Sequence, residues 1–125
     1  MDTDERRPDV VVVLADDLIW QSRLVSLLRS LDVTPRTAAR LASFTESLAG
    51  SDRALIDLTS RAYDGLEAVR LAAAQGCTVL CVAQHDDLEL RRRATAAGAR
   101  RVVPYRTMFE RGPQTLRRWL AERAP

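Results

Sequence analysis

Apolar residues along the chain come in short unbroken runs, and between the runs they recur every three or four positions. These runs are Val10–Leu14, Ala54–Leu58, in which Asp57 is the one charged residue, and Thr78–Ala83, which is apolar after its first residue. Runs of this length, rich in β-branched and aliphatic side chains, are typical of strands that are buried on both faces of a parallel sheet. They therefore predict three central strands.

Two weaker segments extend this set of strands. Residues 32–37 form a less apolar stretch, and residues 101–104 end in a proline, Pro104. Because proline cannot donate a hydrogen bond to a neighbouring strand, the last segment is predicted to lie at an edge of the sheet.

Helical spacing fills the gaps between the strands. Residues 18–31 carry apolar side chains at helical intervals. Four further helices are predicted, each with a start or stop signal. One spans residues 43–48, with Ser43 and Glu46 as a capping box, and one spans residues 66–73 and ends near Gly76. The next spans residues 87–97 and ends at Gly98, and Pro113 opens the last helix, whose buried face is predicted to hold Leu116, Trp119 and Leu120.

The chain thus alternates strand and helix five times. This alternation predicts an α/β fold: a doubly wound parallel sheet with helices on both faces. A length of 125 residues, of which 46% are hydrophobic and 29% charged, fits one globular domain. We assign residues 9–125 to that domain and residues 1–8 to a charged N-terminal tail.

The sequence also bears on location and on redox chemistry. The longest apolar run, Val10–Ala15, is too short to span a bilayer, and the charged N-terminus lacks the apolar stretch of a secretory signal. We therefore expect a cytoplasmic protein with no membrane contact. Cys77 and Cys81 would lie roughly 13 Å apart in a strand, too far for a disulfide, so they are predicted to be buried free thiols.

Three aspartates lie at or near the carboxyl ends of predicted strands. Asp16 and Asp17 follow the first strand, and Asp57 lies near the end of the third. In doubly wound sheets these strand ends gather at the ligand-binding edge. Converging carboxylates repel one another unless a pKa rises or a cation binds between them. A hard cation such as Mg2+ prefers oxygen ligands, and an aspartate beside it can act as a nucleophile toward a phosphoryl group.

Three motifs in this order resemble the receiver domain of response regulators, the fold of the chemotaxis response regulator. The resemblance covers roughly residues 9–123. The matching stretches are the acidic pair in Ala15-Asp16-Asp17, the phosphoacceptor and following loop in Asp57-Leu58 and Asp64-Gly65-Leu66-Glu67, and the Gly98-Ala99 pair before the fifth strand. The resemblance implies a flavodoxin-like, five-stranded sheet with strand order 2-1-3-4-5.

Transferred residue by residue, the resemblance implies that Asp57 is the phosphoacceptor. It also implies a Mg2+ site with Asp17 as a direct ligand and Asp16 as a direct or water-mediated one. Asp57 and the backbone carbonyl of Thr59 complete that ligand set. The residues alone leave an alternative: Asp16 and Asp17 only cap the first helix, and Asp57 is only a turn aspartate.

Two positions depart from the family. Its members carry a Ser or Thr at the end of the fourth strand and a lysine after the fifth. This chain has Ala83 at the first position and Tyr105 at the second, followed by Arg106. The chain has no lysine, since all 19 of its basic residues are arginine. A donor aimed at developing charge is worth about 100- to 1000-fold in rate, so a weakened or lost phosphorylation switch is predicted.

Three further residues are candidates for the rim of the acidic pocket. Arg61 lies in Ser60-Arg61-Ala62, which replaces the family's usual Met-Pro-Gly. Arg106 is a candidate substitute for the lysine, although its planar fork is unlike a lysine's point charge. His85 follows the fourth strand, and the alternative for it is an ordinary surface-loop histidine.

Receiver domains contact partners through the fourth helix, the fifth strand and the fifth helix. The corresponding residues here are Arg92, Arg100, Tyr105, Arg111 and Arg118. The resemblance implies a protein partner, a histidine kinase or a downstream regulator, or a homodimer through this surface. The Arg91-Arg92-Arg93 run does not indicate nucleic-acid binding, because consecutive helical residues point in different directions.

We therefore expect a stand-alone atypical receiver, or pseudo-receiver, acting as an interaction module in two-component-type signal transduction. Any enzymatic activity would be limited to self-phosphorylation and self-dephosphorylation. The alternative is a working Mg2+-dependent phosphoacceptor that is phosphorylated on Asp57. A flavin- or nucleotide-binding protein is a third class, but the acidic and bulky segment 16–20 is unlike the phosphate loop such a protein needs.

Overall fold

The computed structural model describes residues 10–122. The predicted charged tail, residues 1–8, therefore lies outside the described residues, as do residues 9 and 123–125. Within the described range, five strands alternate with five helices. The strands are β1 (Val10–Leu14), β2 (Thr34–Ala38), β3 (Arg53–Asp57), β4 (Thr78–Ala83) and β5 (Arg101–Pro104). The helices are α1 (Leu18–Ser30), α2 (Leu41–Ser47), α3 (Gly65–Ala74), α4 (Leu88–Ala97) and α5 (Tyr105–Ala121).

All neighbouring strands pair in parallel, in the order β2-β1-β3-β4-β5. The predicted doubly wound sheet and its 2-1-3-4-5 order are confirmed. β5 lies at an edge, where Pro104 is in register with Ala83, as its proline predicts.

The sheet separates two apolar cores because alternate strand residues point to opposite faces. On one face Val11, Val13 and Leu55 pack with α1 and α5. On the other, Val12 and Leu14 pack with residues of α2, α3 and α4. The central strands are buried on both faces, which is why their sequences are mostly apolar. Cys77 and Cys81 are both buried in the second core and do not form a disulfide, as predicted.

The predicted start of α2 is wrong. The helix begins at Leu41, and its N-cap is Arg40, whose side chain makes no capping hydrogen bond. Ser43 lies inside the first turn, where its hydroxyl donates to the Arg40 carbonyl at 3.1 Å. The Ser43–Glu46 spacing therefore does not mark a capping box.

The last helix contains a segment that was not predicted. α5 begins at Tyr105 and is interrupted at Arg111, whose φ of −134° and ψ of 35° are not helical. Pro113 lies in the first turn of the helical segment that follows this interruption, as predicted, because a missing N–H costs no helical hydrogen bond there. Leu116 and Trp119 are buried as predicted, while Leu120 is half-buried.

Of the helices between residues 10 and 122, none combines the length and the apolar character that crossing a membrane requires.

Candidate functional site

Asp57 is the last residue of β3, at the carboxyl edge of the sheet, and only 2% of it is exposed. Its Oδ1 atom accepts a hydrogen bond from the Thr59 backbone N–H at 3.1 Å. The same oxygen accepts a second, short hydrogen bond from the Tyr105 hydroxyl. The carboxylate is therefore held by two neutral donors.

Tyr105 reaches Asp57 because of where it lies in the fold. It is the first residue of α5, directly after the edge strand β5. Its ring packs against Trp20 of α1, with ring centroids 4.8 Å apart and planes tilted by 43°. This contact fixes the ring on one side and directs the hydroxyl toward the carboxyl end of β3. Tyr105 thus occupies the position where the family resemblance predicts a lysine.

Tyr63 is a second tyrosine at this site, and the sequence motifs did not indicate it. Its side chain is buried, and its hydroxyl lies 2.6 Å from the carbonyl oxygen of Asp57 and 3.2 Å from that of Leu14, so its single proton is shared between these two acceptors. It therefore links the carboxyl ends of β1 and β3. The available signal was a lone aromatic residue six positions after Asp57 in an otherwise polar loop.

The surroundings of Asp57 disfavour its ionised form. Burial raises the pKa of the Asp57 carboxyl, and the nearby Asp16 and Asp17 add to that increase. Hydrogen bonds from Tyr105 and Thr59 lower the pKa and only partly offset the burial. Burial and the bond to Asp57 also raise the pKa of Tyr105, so its hydroxyl stays protonated and able to donate at neutral pH.

Asp17 is the N-cap of α1. Its Oδ1 atom accepts the backbone N–H groups of Ile19 at 2.9 Å and Trp20 at 3.1 Å. Asp16 is half-buried beside it, after the last residue of β1. The structure therefore gives Asp17 the capping role that the sequence left open as an alternative to metal binding.

The predicted Mg2+ ligands lie at one edge of the sheet, and their role as ligands stays a prediction. Among residues 10–122, no three His, Cys, Asp or Glu side chains are grouped so that they could hold a metal ion. The Oδ1 atom of Asp17 is engaged by the helix, and that of Asp57 by Thr59 and Tyr105, so these bonds engage one of the two oxygens of each carboxylate. The charges of Asp16 and Asp17 raise the pKa of Asp57.

The other predicted pocket residues lie in different surroundings. Ala83 ends β4 and is buried, with no hydroxyl to offer. Arg61 and His85 are exposed in the loops after β3 and β4. The Arg106 side chain is 84% exposed, and its Nε donates to Glu110 Oε1 at 3.1 Å. Neither Arg61 nor Arg106 takes part in the hydrogen bonds that hold Asp57.

The predicted partner surface is divided among different contacts. Arg92 pairs with Glu89 at 3.3 Å, and Arg100 pairs with Glu122 at 2.8 Å. Tyr105 points inward to Asp57. Arg111 and Arg118 are exposed on α5.

No family model matches this sequence, and no curated protein matches it. Solved structures do resemble the fold. The BeF3-activated DrrB receiver domain has a TM-score of 0.79 at 18% identity, covering 90% of this chain and 97% of that one. The NtrX receiver domain from Brucella abortus has a TM-score of 0.79 at 18% identity, covering 88% and 97%. The BeF3-activated receiver domain of Klebsiella pneumoniae RstA has a TM-score of 0.79 at 19% identity, covering 90% and 99%.

At these identities the likeness shows the fold. Residues 10–122 have the receiver fold of response regulators, as the sequence motifs predict.

Proposed function

We propose that this chain is an atypical receiver domain that serves as a protein-interaction module in two-component-type signalling and does not switch by phosphorylation of Asp57. The observation that carries the proposal is the hydrogen bond from the Tyr105 hydroxyl to Asp57. It puts a bulky neutral donor against the carboxylate at the position where the family resemblance predicts a lysine.

The charge balance supports this proposal. Phosphorylation would add about −1.5 to −2 charges to a pocket that already holds three aspartates. The Tyr105 hydroxyl is neutral, Ala83 offers no donor, and Arg106 is turned toward Glu110. A phosphoryl group on Asp57 would therefore lack the cation and the hydroxyl that the family resemblance predicts for it.

The test is incubation with Mg2+ and a small acyl phosphate, followed by mass spectrometry of the intact protein. We expect no stable phosphorylated species from the natural chain. The double variant Ala83→Thr/Tyr105→Lys returns both missing groups, and we expect it to react about 100-fold faster or more. Adding Asp57→Asn to the double variant should abolish that gain. Stoichiometric phosphorylation of the natural chain that disappears in Asp57→Asn would sink the proposal.

A second candidate function is a Mg2+-dependent phosphoacceptor. It is favoured by the position of Asp57 at the carboxyl end of a central strand, close enough to Asp16 and Asp17 for their charges to raise its pKa. This function requires the carboxylates to rearrange around a cation. Titration calorimetry with millimolar Mg2+ tests it: binding that Asp17→Asn abolishes would favour it, and absence of binding would remove it.

A further inference from the structure

Helix α5 consists of two segments that are held at different places. The first begins at Tyr105, whose hydroxyl bonds to Asp57. The backbone then leaves helical geometry at Arg111, and Pro113 lies in the first turn of the segment that follows. We call residues 113–121 the C-terminal arm of α5. Because Pro113 has no N–H to bond to the preceding turn, the arm can move without unwinding the first segment.

The junction between the two segments lies directly on α1. Gly112 is buried, and a Cβ atom at this position would lie 2.8 Å from Leu27 Cδ1. Glycine therefore allows the backbone of α5 to approach α1 closely at the point where the helical geometry is interrupted. The junction is thus a packed point about which the arm can turn.

The far end of the arm is held by charged groups at the amino edge of the sheet. The Glu122 carboxylate accepts hydrogen bonds from Arg100 Nε and Arg101 Nε, each at 2.8 Å, and we call these two contacts the Glu122 latch. Arg53 donates to the carbonyl oxygens of Leu120 and Glu122. The side chains of Arg100 and Arg101 are 46% and 37% exposed, so solvent weakens the latch relative to a buried ion pair.

Between the junction and the latch, the arm buries a polar group that lacks a partner. Leu116 and Trp119 are buried in the core that contains Val11 and Leu55. The Nε1–H group of Trp119 is buried with them, and no acceptor within residues 10–122 bonds to it. Burying a donor without an acceptor costs free energy, and this cost offsets part of the gain from burying the indole. Apolar packing therefore holds the arm less firmly than its buried area alone would indicate.

We propose that the C-terminal arm is a separately releasable unit, which leaves the sheet when the Glu122 latch opens while the strands and the other helices stay folded. The interruption at Arg111 lets the arm turn, the latch holds it by ion pairs near solvent, and release allows water to reach the Trp119 N–H. A helix as short as the arm is not stable alone in water, so the released arm also loses its helical hydrogen bonds. Release uncovers the apolar core beneath Leu116 and Trp119.

The arm lies beyond the part of α5 that contacts the Asp57 pocket. Tyr105 belongs to the first segment, before the interruption at Arg111. Release of the arm therefore leaves the bond between Tyr105 and Asp57 in place. Such a release goes beyond the proposed function and does not depend on it, since it holds whether or not Asp57 accepts a phosphoryl group.

Native-state hydrogen exchange of the whole chain, followed by NMR, tests the proposal. We expect the amides of residues 117–121 and the Trp119 indole N–H to exchange together, with protection about 100-fold lower than that of the β1 and β4 amides. The indole N–H makes no hydrogen bond, so its protection reports undocking of the arm and not fraying of the last turn. Arm exchange should also rise less steeply with low urea than strand exchange, because release exposes less surface than unfolding.

Two variants separate release of the arm from unfolding of the domain. Phe44 is buried in the core on the other face of the sheet, which stays intact when the arm is released. Phe44→Leu should therefore speed exchange of the β1 and β4 amides by about tenfold and leave arm exchange within about twofold of the natural chain. Glu122→Gln should speed arm exchange by about fivefold. It should speed strand exchange as much, because the latch is also broken in the unfolded chain.

Glu110→Gln is the matched control for the latch. Glu110 lies on the first segment of α5 and pairs with Arg106, so this variant removes the same charge from the same helix outside the arm. It should leave arm exchange within about twofold of the natural chain. Arm and strand amides that exchange at one common rate and respond equally to Phe44→Leu would overturn the proposal. So would exchange of residues 120–121 alone with the Trp119 N–H retained, or an arm that is insensitive to Glu122→Gln.

Discussion

Strand β3 carries a buried ionisable residue at each end, Arg53 at its amino end and Asp57 at its carboxyl end, and the two are held in opposite ways. Arg53 is 7% exposed and Asp57 is 2% exposed. Around Arg53 the partners are carbonyl and carboxylate oxygens, which suit a cation. Around Asp57 the hydrogen-bond donors are neutral, and the charges of Asp16 and Asp17 raise its pKa.

At the amino end of β3, Arg53 binds the last carbonyl groups of α5, and we call this contact the Arg53 clamp. The Nη2 atom of Arg53 donates to the carbonyl oxygens of Leu120 at 2.7 Å and Glu122 at 3.2 Å. The Glu122 carboxylate in turn accepts from Arg100 and Arg101, each at 2.8 Å from its Nε. Cations beside the last carbonyls of a helix also interact favourably with its dipole. This end of the strand contributes to stability.

The carboxyl end of β3 lacks that match. Within residues 10–122, the donors that hydrogen-bond to the Asp57 carboxylate are the Thr59 amide and the Tyr105 hydroxyl, and both are neutral. α5 is therefore held at its end by charged hydrogen bonds to Arg53 and at its start by one neutral hydroxyl. The comparison teaches that a buried ionisable group is stabilising only where the surroundings match its charge.

The largest expected effect comes from breaking the matched end. Arg53→Ala removes the donors to Leu120 and Glu122 and leaves those carbonyls unpaired. We expect the free energy of unfolding to fall by about 3 kcal/mol, as measured by urea denaturation. Arg117→Ala, an exposed change on the same helix, is the control and should stay within about 0.5 kcal/mol. Equal losses in the two variants would contradict a special role for the clamp.

A smaller effect is expected from Glu122→Gln. Burial alone would raise the pKa of Glu122, but hydrogen bonds from Arg101 and Arg100 outweigh it and hold the pKa below 4.5. A carboxyl group whose pKa is lower in the folded chain than in the unfolded chain stabilises the fold at pH values above its ordinary pKa. This stabilisation is lost as the pH falls through the folded-state pKa. Because both arginines are more than a third exposed, we expect a loss of about 1 kcal/mol at neutral pH.

The pH dependence of unfolding checks this interpretation of Glu122. The natural chain and Glu122→Gln should become equally stable once the pH is well below the lowered pKa. A stability difference that stays constant from pH 7 to pH 3 would mean that the carboxylate acts through packing and not through its charge.

The smallest effect, and one of opposite sign, is expected at the unmatched end. Because the pKa of Asp57 is raised above its ordinary value of 3.8, protonated Asp57 stabilises the fold at pH values below 3.8. This stabilisation is lost as the pH rises through the folded-state pKa. Asp57→Asn removes the charge and keeps an oxygen for Thr59 and Tyr105. We expect it to raise the melting temperature at neutral pH, with the gain shrinking as the pH falls toward 3.8.

Tyr105→Phe is the companion variant for that prediction. It takes one donor from Asp57, so it should lower stability at neutral pH and raise the pKa of Asp57 further, as followed by carboxyl-carbon NMR. A melting temperature that falls in Asp57→Asn would show that ionised Asp57 is stabilised by its surroundings, contrary to the contrast between the two ends of β3.

Much of the fold follows from the pattern of apolar residues along the sequence, and each wrongly predicted element boundary has a local cause. The runs that became β1 and β4 were predicted with the bounds observed, because strands that are buried on both faces are mostly apolar. β2 is short, partly exposed and contains a proline, so its predicted bounds were shifted by two residues at the start. Pro113 correctly indicated a helical segment that begins after the interruption at Arg111, but the preceding turns of α5 from Tyr105 were not predicted.

The sequence predicted the position of Asp57 in the candidate site but not the residues that contact it. Asp57 was placed at the end of a central strand because its neighbours are apolar and it is not. Its partner Tyr105 lies 48 residues away, and nothing in local spacing says that this hydroxyl meets that carboxylate. Tyr63 was missed for the same reason, since its partners lie on the ends of two different strands.

The sequence by itself determined the parallel five-stranded sheet, the burial of its central strands and the position of three aspartates at its carboxyl edge. Periodicity and strand ends are local properties, and apolar runs report them directly. Only the tertiary structure decided that Asp17 caps α1, that Tyr105 engages Asp57 and that Arg53 holds the end of α5. Those outcomes depend on strand register and on how α1 and α5 pack, and a linear pattern specifies which residues are buried without specifying which residues they meet.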